Sequence, residues 1–479
     1  MKARQIAYII WTVIALLGAV CLVVPDGGWH IGRWHLRFPT LAQALDMDTK
    51  DDELSMMNDS LLAELETLGV LPSDSVVAED TIAVQDSIPP KAQPVIPEVN
   101  VSNTDSRTYL AAFYAALDSV RTMPVRVVHY GDSQIEEDRI TNVLRERWQK
   151  AYGGGGVGLL PLHQTIPTRS MRQWLSMDGV VQTVQGGPKR YLVYGPRSMR
   201  LDNDEYGVMG QVAVMDSTLV AGSEDVVMCI EPIDKKRQGH NYFNRVRVLT
   251  DSVDGYILAQ DTMLSPTPDT RHPLLYTLPD STTKCEIHLQ GKGKVYGVSL
   301  ETPTGVIVDN IPMRGCSGNI FTKIDSTQLS DFYRETNTRL IILQFGGNMI
   351  PQTENASTIS GYVRSTLRQQ VRYLRACAPD AAILFIGPSD MSTNIDGQMS
   401  TYPLVPYMDK LLKKMAAEEQ IAYWSMYDAM GGKDSMVRWV ENGLAGSDYV
   451  HFTRAGANKV GKILYEWLMT YPDLLNSKQ

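Results

Sequence analysis

Residues 127–140 read VVHYGDSQIEEDRI, a stretch with the pattern of a strand, a tight turn and a helix. Arg126 to Tyr130 is a short run rich in β-branched residues, which predicts a buried strand. A glycine and an aspartate break the run, and Ser133 follows directly. From Ile135 to Lys150 apolar residues recur at helical spacing, at Ile135, Ile140, Val143, Leu144 and Trp148. The pattern therefore predicts that Ser133 lies between a strand and a helix.

A serine at such a turn has two explanations. Ligands of α/β proteins bind beyond the carboxyl ends of the strands, and the following helix offers backbone N–H donors there. These properties make Ser133 a candidate nucleophile. A serine directly before a helix is also a common N-cap, and the letters G-D-S alone do not decide between the two roles.

Two further motifs stand at the boundaries of other predicted elements. Asp448 precedes His451 by three residues, ahead of the last predicted helix, Arg454 to Leu468. A carboxylate at this spacing can accept a hydrogen bond from the imidazole and fix its tautomer. Asn348 follows the apolar strand Leu340 to Gln344, and a side-chain amide at a strand end suits an oxyanion donor. Together with Ser133, these residues predict nucleophilic acyl chemistry.

This set resembles the four sequence blocks of the SGNH/GDSL family of serine esterases. The blocks are Gly131-Asp132-Ser133, Gly315-Cys316-Ser317-Gly318, Gly346-Gly347-Asn348 and Asp448-x-x-His451. The resemblance covers residues 126–150 and 305–475, and it implies an α/β fold with a parallel sheet flanked by helices. It also implies a catalytic triad of Ser133, Asp448 and His451, with an oxyanion hole formed by Ser133, Gly318 and Asn348. No cofactor and no metal ion are implied.

The segment from Tyr423 to Thr453 resembles the peptidoglycan O-acetylesterase branch of that family, which implies hydrolysis of acetyl esters through an acetyl-serine. Two residues depart from the usual family pattern. Gln134 replaces the leucine or histidine that usually follows the serine, and Met349 replaces an acidic residue after Asn348. Both are neighbours of the chemical groups, so they put the substrate fit in doubt more than the mechanism.

Residues 152–304 interrupt the two hydrolase segments, 105–151 and 305–479, with short strand-like runs separated by turn residues. This texture predicts an inserted β-sandwich-like module, and similar esterases carry a carbohydrate-binding-like module at this point. Its aromatic side chains are candidates for stacking on sugars, and its basic ones for meeting anionic groups. The aromatic candidates are Trp174, Tyr191, Tyr194, Tyr242 and Phe243, and the basic ones are Arg172, Lys189, Arg190, Arg197, Lys235, Lys236 and Arg237. Core packing for the aromatics and solvated loops for the charges are the alternatives.

The N-terminus predicts a membrane anchor over residues 1–25. Ile6 to Val24 is almost wholly apolar and follows Lys2 and Arg4, and its length is close to that of a membrane span. A cleaved signal peptide is the alternative. Residues 26–104 then predict a short juxtamembrane element and an acidic, proline-rich linker. The hydrolase is therefore expected to face the periplasm from the inner membrane.

Composition limits the partners. The chain has 479 residues and a formal net charge of −9, which argues against a nucleic-acid partner. Its five cysteines are scattered and lack a C-x-x-C motif, so they predict neither a disulfide scaffold nor a zinc site. Cys229 and Cys285 lie in strand-like runs of one region, where pairing and two buried thiols both remain open.

These features predict an exported, membrane-anchored esterase whose partner is an O-acetylated glycan polymer. Peptidoglycan is the leading substrate, and dietary or capsular polysaccharides are alternatives. An O-acetyltransferase that uses the same acyl-serine, and a non-catalytic glycan-binding protein, are the rival classes. The sequence does not indicate an oligomeric state.

Overall fold

The computed structural model divides into two compact units, Met1–Val76 and Val77–Gln479. It describes residues 29–31, 34–36, 96–101, 105–177, 180–182, 187–216, 225–233, 241–268 and 273–476. In the first unit, strands β1 (Trp29–Ile31) and β2 (Trp34–Leu36) pair antiparallel. The predicted membrane anchor and most of the predicted linker lie outside the described residues. Within the described ranges, no helix combines the length and the apolar character that crossing a membrane requires.

The second unit begins with the elements around the candidate nucleophile. They are a 3₁₀ helix (Ser106–Leu110), α1 (Ala111–Leu117), β3 (Pro124–Gly131), a second 3₁₀ helix (Ser133–Asp138) and α2 (Thr141–Tyr152). The single helix predicted from Ile135 is therefore wrong in its first turns. Glu137 and Asp138 have φ angles of 58° and 62°, which interrupt the helix. Tertiary contacts hold this backbone, because the Glu137 carbonyl accepts the N–H of Arg169 at 3.0 Å and Asp138 is paired with buried Arg145.

Residues 158–301 contribute strands to two antiparallel sheets. The strands are β4 (Gly158–Leu160), β5 (Met171–Met177), β6 (Val180–Gln182), β7 (Lys189–Leu192), β8 (Gln211–Met215), β9 (Val226–Pro232), β10 (Phe243–Thr250), β11 (Asp254–Ala259), β12 (Thr262–Leu264), β13 (Leu274–Thr282), β14 (Cys285–Gln290) and β15 (Gly293–Glu301). One sheet has the order β13-β10-β15-β8-β7, with β4 also paired to β15, and the other has the order β12-β11-β14-β9-β5-β6. Side chains from both sheets share one apolar core, which includes Met228, Val246, Tyr276 and Ile287. We call residues 158–301 the β region.

The chain then completes the α/β part. Its strands are β16 (Gly305–Pro312), β17 (Thr338–Gln344), β18 (Ala382–Ile386), β19 (Ser392–Ile395), β20 (Gln398–Thr401) and β21 (Ala422–Trp424). Its helices are α3 (Ser326–Glu335), α4 (Ala356–Gly361), α5 (Arg368–Cys377), α6 (Val405–Glu418), α7 (Met426–Met430), α8 (Ser435–Glu441) and α9 (Arg454–Asn476), with 3₁₀ helices at Phe321–Lys323 and Gly347–Met349 and a π-helical segment at Tyr362–Leu367.

Five strands form the parallel sheet predicted for the hydrolase, in the order β16-β3-β17-β18-β21. The α/β fold is thereby confirmed. Cross-strand pairing places five residues in one row, namely Pro312, Gly131, Gln344, Ile386 and Trp424. Each is the last residue of its strand. The loops that follow the strands therefore all leave the sheet at one edge, which is where α/β proteins place their ligands.

A buried ion cluster joins the β region to this sheet. Arg126 in β3 donates to both carboxylate oxygens of Asp309 in β16, at 2.7 and 2.8 Å, and also pairs with Glu301 in β15. The backbone N–H of Leu159 donates to Asp309 at 2.9 Å. The Arg126 and Asp309 side chains are 1% and 0% exposed, so neither charge has water as an alternative partner. Removing Arg126 would leave the Asp309 carboxylate without a counter-charge, whereas Glu301 also pairs with Arg247 at 3.3 Å.

The glycine run at Gly153 to Gly156 is a close-packed loop. A Cβ atom on Gly154 would lie 2.5 Å from the carbonyl oxygen of Val306, and Gly154 has a φ of +107°. The Val306 N–H donates to the Gly153 carbonyl at 2.9 Å. The run therefore lets the chain pass against β16.

Cys229 and Cys285 are buried free thiols, so the question that the sequence left open is decided against a disulfide. Cys229 lies opposite Glu286, and Cys285 lies opposite Ile230. Because opposed residues point to the same face and neighbours point to opposite faces, the two thiols lie on different sides of their sheet.

Candidate active site

The structure brings the serine and the distant Asp-x-x-His motif together. Ser133 Oγ lies 2.9 Å from His451 Nε2, although 318 positions separate the two residues. His451 Nδ1 lies 3.0 Å from Asp448 Oδ2. The order carboxylate, imidazole, hydroxyl is the one that a nucleophilic serine requires, because the imidazole can accept the hydroxyl proton while the carboxylate orients it.

The loop that carries His451 is shaped by Asp448. The carboxylate oxygen Oδ1 accepts the backbone N–H groups of Val450 and His451, both at 3.1 Å, and Tyr449, which directly follows Asp448, has a φ of 56°. Burial would raise the pKa of Asp448, but the hydrogen bonds from His451 and from the two N–H groups outweigh burial and hold it well below its usual range. Asp448 therefore stays ionised beside the imidazole.

The turn that carries Ser133 depends on Gly131 and Asp132. A Cβ atom on Gly131 would lie 3.0 Å from the Ile135 side chain and 3.2 Å from the carbonyl oxygen of Gln344. Asp132 Oδ1 accepts the N–H of Gln134 at 3.0 Å, an Asx turn that redirects the chain after β3. The Ser133 N–H has no acceptor among the described residues, which leaves it available to a substrate oxygen.

Ion pairs hold the strained backbone behind the nucleophile. Arg314 makes a bidentate pair with Glu136, with both contacts at 2.8 Å. Arg169 donates to Glu137 at 2.9 and 3.0 Å. Arg314 follows β16 and Arg169 precedes β5, so the turn is braced from the α/β part and from the β region at once. Positive φ values in non-glycine residues are costly, and they commonly occur at functional sites.

Asn348 also reaches the nucleophile's turn. Its side-chain amide donates to Asp132 Oδ2 at 3.3 Å and to the Cys316 carbonyl at 3.1 Å. The N–H of Gly318 donates to the sulfur of Cys316 at 3.3 Å. Both predicted oxyanion donors thus belong to one hydrogen-bonded group beside Ser133, and each has a protein acceptor. Their oxyanion role stays a prediction.

Gly318 must be a glycine whatever its role. It has a φ of +90°, and a Cβ atom there would lie 2.8 Å from the ring of Phe345. Phe345 immediately precedes the Gly346-Gly347-Asn348 motif. The second and third sequence blocks are therefore packed against each other at the carboxyl edge of the sheet.

Sequence reasoning missed the role of Asp132. Burial raises the pKa of this carboxyl to about 6, and the Gln134 N–H and the charge of His451 oppose that rise. Asp132 connects the turn to Asn348 and so sets where the amide lies. Its position directly before the serine was the available signal, because an aspartate at such a turn commonly accepts a backbone N–H two residues on.

His129 has a structural role. Its ring nitrogens lie 2.9 Å from the Thr141 hydroxyl and 3.2 Å from the Gln344 side chain. Burial lowers its pKa to about 3, so the ring is neutral. Across the described parts of the chain, no group of three or more His, Cys, Asp or Glu side chains has the arrangement of a metal site.

The aromatic side chains predicted to stack on sugars differ in their exposure. Phe243 is fully buried in the core of the β region, so its prediction as a sugar contact is wrong; its strand turns that ring inward. Trp174 is partly exposed and packs under the Arg172 guanidinium at 5.2 Å, and Tyr191 stands 5.0 Å from the Lys189 ammonium. Tyr242 is 37% exposed. Lys235, Lys236 and Arg237 lie outside the described residues.

Residues 280–459 match the model of the GDSL-like lipase/acylhydrolase family. This chain contains a GDSL-like hydrolase domain. The predicted class, a carboxylic-ester hydrolase of the SGNH/GDSL type, is thereby confirmed. The matched range contains Asn348 and His451 but begins after Ser133, so the geometry of the sheet is what joins the GDSL-like domain to its nucleophile.

A solved structure of a peptidoglycan O-acetylesterase is similar to this chain, with 19% sequence identity and a TM-score of 0.57 over 79% of this chain and 98% of that chain. At this identity the similarity shows a shared fold. A solved acetyl xylan esterase, AlAXEase, aligns over 34% of this chain and 80% of its own, with 13% identity and a TM-score of 0.26, which is too partial to support an inference. No curated protein matches the chain in sequence.

Proposed function

We propose that this chain is an exported, membrane-anchored serine esterase that removes O-acetyl groups from a cell-envelope polysaccharide, with peptidoglycan as the leading substrate. The observation that carries the reaction is the chain of contacts from Asp448 to His451 to Ser133, at 3.0 and 2.9 Å. A half-buried carboxylate that stays ionised, an imidazole and a hydroxyl in this order activate a serine.

The proposed reaction has two halves. Ser133 Oγ attacks the acetyl carbonyl while His451 takes the hydroxyl proton, and the new oxyanion is held by the Ser133 N–H, the Asn348 amide and the Gly318 N–H. The ester bond to the sugar then breaks, and His451 returns the proton to the sugar oxygen. Water attacks the acetyl-serine with His451 as base, acetate leaves, and Ser133 regains its proton.

The substrate class rests on weaker support than the reaction. The fold shared with a peptidoglycan O-acetylesterase favours an O-acetylated glycan. We propose the β region as the part that binds the polymer, since partly exposed aromatics such as Trp174 can stack on sugar rings. The apolar N-terminal run from Ile6 to Val24 supports anchoring in the inner membrane with the enzyme in the periplasm.

The decisive experiment compares Ser133→Ala with the wild type on O-acetylated peptidoglycan and on p-nitrophenyl acetate. Free acetate is the product measured on the polymer. The variant should fold normally and lose more than about 99% of the activity, because loss of a triad serine costs orders of magnitude. Ser365→Ala is the matched control, since that exposed hydroxyl bonds only the Gly361 carbonyl of its own helix.

Three results would count against the proposal or against part of it. Retention of more than about a hundredth of the activity by Ser133→Ala would remove the serine mechanism. Transfer of acetyl groups to an added chitooligosaccharide in preference to water would replace hydrolysis with acetyl transfer. Release of acetate from p-nitrophenyl acetate but not from peptidoglycan would support the esterase activity and exclude peptidoglycan as the substrate.

A further inference from the structure

Three loops of the candidate active site meet at the side chain of Gln134. Its amide nitrogen donates to the Val450 carbonyl at 2.6 Å and to the Ser389 hydroxyl at 3.3 Å. Gln134 adjoins the nucleophile, Val450 adjoins His451, and Ser389 belongs to the loop after β18. A second bond joins the last two loops, because the Ser392 N–H donates to the Tyr449 carbonyl at 3.1 Å.

The orientation of the Gln134 amide is fixed by its partners. A backbone carbonyl can only accept, so the nitrogen must face Val450 and the oxygen must face the other way. That oxygen has no hydrogen-bond partner among the described residues, and the residue is 7% exposed. A buried acceptor without a donor lowers stability. Gln134 therefore lowers the stability of the fold at this position, which points to a role in the reaction.

We infer that Gln134 is a positioning residue for the general base, an inference that rests on the proposed esterase function. Its amide fixes the carbonyl of Val450 and so holds the next residue, His451, at 2.9 Å from the Ser133 hydroxyl. Asp448 and the Gly446 N–H, which donates to the His451 carbonyl at 2.8 Å, shape the loop from within, and Gln134 ties it to the turn that carries the nucleophile. Arg139 adds only a longer contact of 3.4 Å, to the Phe452 carbonyl.

The test is Gln134→Met, which keeps the length of the side chain and removes the donor. With p-nitrophenyl acetate, kcat should fall by about tenfold to a hundredfold because the base is less well aligned. KM should stay within about twofold, since Gln134 is not proposed to touch the substrate. The melting temperature should stay close to that of the wild type, because removal of the unpaired buried oxygen offsets the loss of the two hydrogen bonds.

Gln370→Met is the matched control. Gln370 is also a buried glutamine, and it bonds both the N–H and the hydroxyl of Thr322, at 3.0 and 3.1 Å. Its loss should lower the melting temperature and leave kcat unchanged. A purely structural role for Gln134 would give that same pattern, so a lowered kcat at an unchanged melting temperature separates positioning from packing.

A folded Gln134→Met enzyme with kcat within twofold of the wild type would overturn the inference. So would a loss of kcat that appears only together with a lowered melting temperature. If Gln134→Met does not fold, Gln134→Asn takes its place, since its amide is one methylene too short to reach Val450. The same loss of kcat is then expected, and a folded Gln134→Asn enzyme with wild-type kcat would overturn the inference.

The Ser133→Ala result separates this inference from the function on which it rests. If Ser133→Ala is inactive and Gln134→Met is fully active, the esterase stands and the positioning role falls. If Ser133→Ala is active, the esterase mechanism itself falls.

Discussion

Asp132→Asn should change how stability depends on pH, because the carboxyl of Asp132 is buried between the nucleophile and Asn348. It accepts the Gln134 N–H at 3.0 Å and the Asn348 amide at 3.3 Å, and it is 6% exposed. Burial raises its pKa to about 6. Asparagine has nearly the same shape and does not titrate, so this variant isolates the effect of the proton.

The magnitude follows from the difference between the two states. An aspartate in the unfolded chain titrates near about 3.9, so a folded pKa of about 6 corresponds to about 3 kcal/mol. The sign is set by the raised folded pKa, since the folded state binds the proton more tightly. This contribution is fully present below pH ~4, and it is lost as the pH rises through ~6.

The unfolding free energy of Asp132→Asn relative to the wild type should therefore rise by about 2 kcal/mol between pH 4 and pH 7. A pH-independent difference in unfolding free energy is expected as well, because the NH₂ group of the new asparagine would face the NH₂ group of Asn348. Urea unfolding at a series of pH values measures the difference, and groups common to both proteins cancel. Fluorescence and circular dichroism should give coincident transitions. A difference that stays flat or falls with pH would refute the reasoning.

Three other substitutions test separate parts of the structure. Asp448→Asn should lower kcat for p-nitrophenyl acetate by about 10³–10⁴ with little change in folding, because the imidazole tautomer is lost; a loss below tenfold would contradict the triad. Asn348→Ala should lower kcat by about 10²–10³, and an unchanged kcat would remove it from the oxyanion hole. Arg126→Leu should reduce the urea-unfolding free energy by about 3–5 kcal/mol, because Asp309 stays buried without a counter-charge while Glu301 retains its 3.3 Å pair with Arg247; a loss under ~1 kcal/mol would show that the Asp309 charge has other compensation.

The sequence predicts the hydrolase sheet well because its strands are buried on both faces. Runs such as Leu340–Gln344 and Ala382–Ile386 are almost wholly apolar, and such runs between amphipathic helices indicate a parallel sheet. The β region is harder to predict. Strand β5 (Met171–Met177) has no β-branched residue and β13 (Leu274–Thr282) contains a proline, so neither has the composition that marks a strand in a sequence.

In the candidate site, the sequence predicted the reacting residues but not the residues that hold them in place. Ser133, Asp448 and His451 carry motif-level signals, whereas the roles of Asp132 and Gln134 depend on partners hundreds of residues away, such as Asn348. The helix predicted from Ile135 instead begins at Thr141. The apolar residues do recur at helical spacing, but ion pairs with residues distant in sequence determine the backbone conformation of the first turns.

The position of β3 in the sheet has a consequence for synthesis of the chain. Both of its neighbours, β16 and β17, are encoded after the β region, so β3 leaves the ribosome long before it can pair. At about 5–20 residues per second, the delay is on the order of ten seconds or more. During that time the β region can form its own sheets, while Val125, Val127 and Val128 have no partner strand. These valines are the segment of the nascent chain that most needs shielding from association with other chains.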